Sequence, residues 1–190
     1  MVTANGLSGW TLVAGTGRCG TTSAFRVLSQ MGVECGEQEK RAGADAGVTS
    51  FGFLHNFPDP SRTLLQVRNP LDCIASLHTT NTPLDISFTG IEPRSKLHRC
   101  MLWYYHANRK IAETADVIYR VQHAPEVLSR EFELPYDMVE ALFLQHKDSN
   151  SRKNRPTYRS VSWAEMQFED ARLSNLIFHF WSYLQFVQAK

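Results

Sequence analysis

Apolar residues along the chain fall into short blocks that alternate between two periods. "WTLVAG" (10–15) is a compact apolar run with β-branched members, stopped by glycine, and reads as a buried strand. "TTSAFRVLSQM" (21–31) spaces Ala24, Phe25, Leu28 and Met31 as one face of a helix, which Gly32 ends. "VECG" (33–36) fits a second short strand, and the small, polar stretch 37–50 with Gly43 and Gly47 reads as a loop. After the turn "PDPSR" (58–62), "TLLQVR" (63–68) is another strand. Pro70 then sits where a first helical turn accepts proline, and "LDCIASLHTT" continues the helix. A long loop over 81–94 precedes a strong helix from Ser95 to about Thr114. "DVIYRV" (116–121) is a third clear strand, followed by helices near 124–131 and 136–146 and a closing aromatic helix over 170–187. Strands alternating with helices predict an α/β fold: three layers of the phosphate-binding-loop type, with a central, mostly parallel sheet flanked by helices.

Composition narrows the function classes. The 190 residues fit a single domain, with a core over 10–130 and a helical part over 131–190. A formal net charge of +1 gives no global attraction to nucleic acid or to a membrane, so neither is expected as a partner. The N-terminal residues lack the pattern of a secretory signal, and no apolar run reaches membrane-spanning length. Cys19, Cys35, Cys73 and Cys100 show no metal-binding spacing, which points to reduced thiols, a cytoplasmic setting and no metal. The charge that matters is local: "KDSNSRKNRPTYR" (147–159) holds five basic residues and one acid. Phe178, Phe180, Trp181, Tyr183 and Phe186 are dense enough for a core face or a homodimer contact.

The junction of the first strand and helix carries the chemistry. Gly15-Thr16-Gly17-Arg18-Cys19-Gly20-Thr21-Thr22 has the spacing of a nucleoside-triphosphate loop, but Thr21 stands where that loop has lysine, and the cation lies earlier, at Arg18. Inward N–H groups over residues 18–23 and the positive end of the helix form an anion site, to which Thr21, Thr22 and Ser23 add hydroxyls. Cys19 is read as filling the small position between Arg18 and Gly20. In a parallel sheet Arg68, ending its strand, emerges on the same edge. Its guanidinium can hold a second phosphate, with Ser76 reaching from the next helix.

These two segments resemble those of sulfotransferases that use 3'-phosphoadenylyl sulfate (PAPS). "GRCGTT" (17–22) is similar to that family's P-K-S-G-T-T motif around the 5'-phosphosulfate, with Arg18 in place of lysine. "RNPLDCIAS" (68–76) matches R-N-P-x-D-x-x-x-S, which holds the 3'-phosphate, at every defined position. "MGVECGEQ" (31–38) and "DVIYRVQHAPEVL" (116–128) are weaker similarities. The resemblance implies PAPS as donor, 3'-phosphoadenosine 5'-phosphate (PAP) as product, no metal, and a small-molecule or carbohydrate acceptor bearing a hydroxyl or amine. It implies Gly17, Arg18, Cys19, Gly20, Thr21, Thr22 and Ser23 at the 5' end and Arg68 and Ser76 at the 3' end. A third motif, R-K-G-x-x-G, is absent; Arg152, Lys153 and Arg155 offer its charges instead. Arg18 would stabilise the bridging oxygen, and Glu37 or His55 would serve as general base. Two other readings share the loop: a phosphotransferase, which the missing lysine and missing magnesium-holding acid oppose, and a non-catalytic nucleotide-binding module.

Overall fold

A computed structural model describes residues 10–37, 45–80, 84–147 and 158–184. Five strands form one sheet: β1 (Thr11–Gly15), β2 (Cys35–Glu37), β3 (Ala46–Ser50), β4 (Arg62–Val67) and β5 (Val117–Arg120). Their order is β2-β3-β1-β4-β5, and every pairing among them is parallel. Among the described residues seven α-helices accompany them: α1 (Thr21–Gln30), α2 (Pro70–Thr79), α3 (Lys96–Ala112), α4 (Ala124–Glu131), α5 (Tyr136–Lys147), α6 (Trp163–Glu169) and α7 (Ala171–Tyr183).

Strand alternation sorts the apolar residues into two layers. Leu12, Ala14, Leu65 and Val67 pack with α2, α3 and α7 on one face, around the fully buried Tyr104 and Met101. Val13, Val48, Leu64, Val117 and Tyr119 pack with α1 and α4 on the other. This is the three-layer α/β architecture expected from the alternating pattern, with a sheet buried on both faces. The chain leaves β1 toward β2 and β3, then returns past β1 to β4 and β5. The order therefore reverses beside β1, and a crevice at the carboxyl edge there is where such sheets bind ligands.

One expectation is overturned. Residues 46–50, read as loop, form a central strand that pairs with both β1 and β2. The glycine that suggested a loop is a packing requirement: a Cβ at Gly47 would come within 2.5 Å of the Phe57 ring and 2.9 Å of Trp10. The short second strand begins two residues late, at Cys35, and the segment before the final helix folds into the separate α6.

Local signals place the helices. Asn69 caps α2 by accepting from Leu71 N–H at 2.9 Å, with Pro70 in the first turn. Ser162 and Glu165 form a reciprocal capping box on α6. Asp170 caps α7 by accepting from Leu173 N–H at 2.8 Å and pairs with Arg94 at 2.6 Å. The buried His98 lies 3.4 Å from the same carboxylate, so α3 and α7 are joined through it. The Leu173 N–H, opposed by partial burial and aided by Arg94, holds the Asp170 carboxyl below its ordinary value. A depressed acid stabilises the fold above its unfolded pKa, and that contribution disappears as pH falls through the folded value. Asp170→Asn keeps a capping oxygen but loses the charge. It should lower Tm by about 2–4 °C at pH 7, from a charge effect of about 1 kcal/mol. The gap to wild type should narrow as pH falls below the ordinary aspartate range and through the lowered Asp170 value, as thermal melts across acidic pH will test.

Candidate functional site

Residues 16–20 turn the chain from β1 into α1. Gly17 (φ 79°), Arg18 (φ 60°) and Gly20 (φ 100°) all adopt left-handed backbone. Two are glycines, as this region favours; Arg18 is not, and holding it there costs on the order of 1–2 kcal/mol. Such strain at a turn persists when its surroundings hold the backbone in place.

The surroundings do so through the turn's carbonyls. Trp103 Nε1, from α3, donates to the Thr16 carbonyl at 2.6 Å. The Cys73 thiol, from α2, donates to the Gly17 carbonyl at 3.5 Å. Arg68 Nη1 donates to the Arg18 carbonyl at 3.3 Å, and Gln66 Nε2, from β4, to the Cys19 carbonyl at 2.9 Å. The Gly20 carbonyl accepts from Ser23 and Ala24 N–H as the first turn of α1 closes. In a planar trans peptide the N–H points opposite to the C=O. Anchoring four successive carbonyls therefore also aims the N–H groups of the residues that follow them. No side chain caps the start of α1 and no acid lies in its first turn, so the positive end of the helix faces the same turn.

Cys19 lies inside this turn, fully buried. Burial pushes its thiol up, against the pull of the backbone N–H groups of Thr21, Gly17, Cys19 itself and Thr16. Its sulfur fills the space beside Gly15, where a Cβ would overlap it. Burial likewise pushes Cys73 up to about 12, with Cys19 adding to the shift. Both thiols stay protonated at neutral pH.

The two sequence motifs meet. Besides the Arg68 contact with the turn, Arg18 Nε donates to the buried Ser76 Oγ at 3.4 Å. Arg68 is oriented from behind by Tyr104, whose hydroxyl donates to the Arg68 carbonyl at 2.8 Å, and from the side by Asp72 at 3.9 Å. Thr21 is buried, and Thr22 and Ser23 are half-buried at the helix start. Glu37 closes β2, with its side chain outside the described part of the structure. His55 is exposed in the short 3-10 turn Phe51–Asn56, directly after β3. Ser50 at the end of β3 is in register with Gly15, so both base candidates lie on the β2–β3 side of the turn. Arg68 lies on the β4 side. In the strand order Glu37 and His55 thus follow β2 and β3, and Arg68 follows β4 on the other side of β1.

Arg152, Lys153 and Arg155 lie outside the described residues. Arg159, the last cation of that basic run, pairs with Glu165 at 3.0 Å. Among the described residues no cluster of three or more histidine, cysteine, aspartate or glutamate side chains is assembled, and no helix is long and apolar enough to cross a membrane.

Three contributors were missed by sequence reasoning. Gln66 and Tyr119 support the turn from beneath. Arg120, at the end of β5 beside Val67, lays its guanidinium 3.9 Å from the Trp181 ring and donates to the Trp181 carbonyl at 3.0 Å, tying α7 to the rim. The available signal was a polar residue inside an otherwise apolar strand: Gln66 in "TLLQV" and Tyr119-Arg120 in "VIYR". Comparison with protein-family models, with curated proteins and with solved structures finds no match to this chain.

Proposed function

We propose that this protein is a sulfotransferase that moves a sulfuryl group from PAPS to a hydroxyl or amine acceptor. The observation that carries this reading is the contact between the two motifs: Arg68 reaches the turn at 3.3 Å and Ser76 meets the Arg18 side chain at 3.4 Å. A donor with phosphates at both the 5' and 3' positions presents two anions a short distance apart. The turn with the start of α1 suits one, and Arg68 with Ser76 suits the other.

In this mechanism Glu37 or His55 takes the proton from the acceptor, whose oxygen or nitrogen then attacks sulfur. The bond from sulfur to the bridging oxygen breaks, and its electron pair stays on the 5'-phosphate of PAP. Charge therefore grows at the turn, where backbone N–H groups, the Thr21 and Thr22 hydroxyls and Arg18 would stabilise it. A guanidinium stays charged throughout, so Arg18 stabilises the departing phosphate without transferring a proton.

The test compares thermal shifts with PAP, ATP with magnesium, and AMP. PAP at a hundredfold its Kd should raise Tm by about 5–10 °C, corresponding to roughly 2.7 kcal/mol, and should exceed the other two. A larger shift with ATP and magnesium would favour phosphotransfer and overturn this reading. With PAP binding established, Glu37→Gln and His55→Ala separate the base candidates. One of them should cut turnover about 10²–10⁴-fold while leaving PAP affinity intact. Full turnover in both removes both from the mechanism.

A further inference from the structure

Strand β4 runs through the middle of the sheet, yet places a glutamine between Leu65 and Val67 with no exposed surface. A buried amide is costly unless its donors and acceptor are met. Gln66 is met on both sides. Its Nε2 donates to the Cys19 carbonyl at 2.9 Å, and its Oε1 accepts from Tyr119 Oη, on β5, at 2.9 Å. The direction of this chain is forced. A backbone carbonyl can only accept, so the amide nitrogen must face Cys19, and the amide oxygen is left for a hydroxyl that must donate. Tyr119 is fully suited to donate, because burial holds its pKa well above the ordinary tyrosine value.

The Cys19 carbonyl belongs to the peptide that begins at Gly20 N–H. With that carbonyl drawn toward β4, the Gly20 N–H points away from it. Gly20 has φ 100°, in a region where glycine rotates at little cost. Without a latch, the Cys19–Gly20 peptide can turn over and present a carbonyl oxygen where it now presents a donor. At an anion site that exchanges attraction for repulsion. Space is also tight: a Cβ at Gly20 would lie 3.0 Å from Gln66 Nε2.

We propose that Gln66, oriented by Tyr119, is a positioning residue that locks the Cys19–Gly20 peptide in the donor-outward state the anion loop requires. It rests on the reading that this loop holds the 5'-phosphate of the donor.

Gln66→Glu tests it with nearly the same shape. At pH 8 the carboxylate repels the Cys19 carbonyl. Affinity for PAP and for AMP, which share the 5'-phosphate, should fall by the same factor, on the order of tenfold to a hundredfold. Toward pH 5.5 the acid protonates and donates to Cys19, so the ratio of variant to wild-type affinity should recover. A general loss of packing would not produce that recovery. Tyr119→Phe frees the amide to rotate and should cost about threefold to tenfold on both nucleotides; it decides the matter if Gln66→Glu does not fold. The Gly20 amide resonance should shift on PAP binding in wild type and fail to shift in Gln66→Glu. If wild type binds PAP and the folded variants bind within twofold of it at pH 8, the latch is overturned. A wild-type chain that binds neither nucleotide overturns the reading of the loop itself, and the latch with it.

Discussion

Arg68→Ala is expected to weaken PAP binding by about 1.5–3 kcal/mol, the scale of a charge-assisted hydrogen bond, or roughly tenfold to 150-fold in Kd. The residue has two tasks in the structure. It stands at the carboxyl end of β4, where a second phosphate would lie, and its Nη1 holds the Arg18 carbonyl. Alanine removes both. AMP lacks the 3'-phosphate and should lose less affinity than PAP. Arg68→Lys should recover only part of the loss, because a lysine restores charge without the planar fork. Stability should change little. The ion pair with Asp72 is 3.9 Å long and a third exposed on each side, so it contributes a few tenths of a kcal/mol at most. Calorimetry with PAP and AMP reads all of this directly. Unchanged PAP affinity in Arg68→Ala removes the residue from donor binding and the motif argument with it.

Gly15→Ala should produce the largest loss of stability among changes near the turn. A Cβ at this position would overlap the Cys19 sulfur and lie 2.9 Å from the Gln66 carbonyl oxygen. Neither neighbour yields easily: the carbonyl belongs to the central strand β4, and the thiol is enclosed on all sides. Overpacking of this kind costs about 1–3 kcal/mol, which for a chain of this size lowers Tm by roughly 3–10 °C. The displaced sulfur would also push on the turn, so PAP affinity should fall together with stability. Adding Cys19→Ala should return part of the lost Tm by removing one of the two collisions. The double variant would then be more stable than the sum of the single changes allows. A wild-type Tm for Gly15→Ala contradicts the packing of the turn.

The elements that could be read in advance are those whose information is local. "WTLVAG" could hardly be other than a buried strand, and the helix after it follows from apolar spacing and Gly32. Asn69-Pro70 marked the start of α2, and capping chemistry of that kind needs no partner elsewhere in the chain. Parallel order followed from alternation, and with it the prediction that Arg68 would emerge beside the glycine turn. Arg68 and Ser76 do lie against that turn, 50 and 58 residues along the chain from Arg18.

What remained illegible depends on contacts between distant segments. Gly47 reads as a loop residue until Phe57 and Trp10 are placed over it, and then it belongs to a central strand. Gln66 and Tyr119 look like ordinary members of two strands until the parallel pairing of β4 with β5 brings them to 2.9 Å. Trp103 is one of several aromatics in the α3 sequence, and only the packing of α3 against the sheet gives its indole N–H to the Thr16 carbonyl. Periodicity, glycine, proline and caps report backbone preference over a few residues, so the sequence alone determined the layers, the turn and the two cation-bearing motifs. Which carbonyls are held, and therefore which way the turn's N–H groups face, was decided by the tertiary structure, because the donors that hold them come from four separate positions on β4, the β4–α2 junction, α2 and α3.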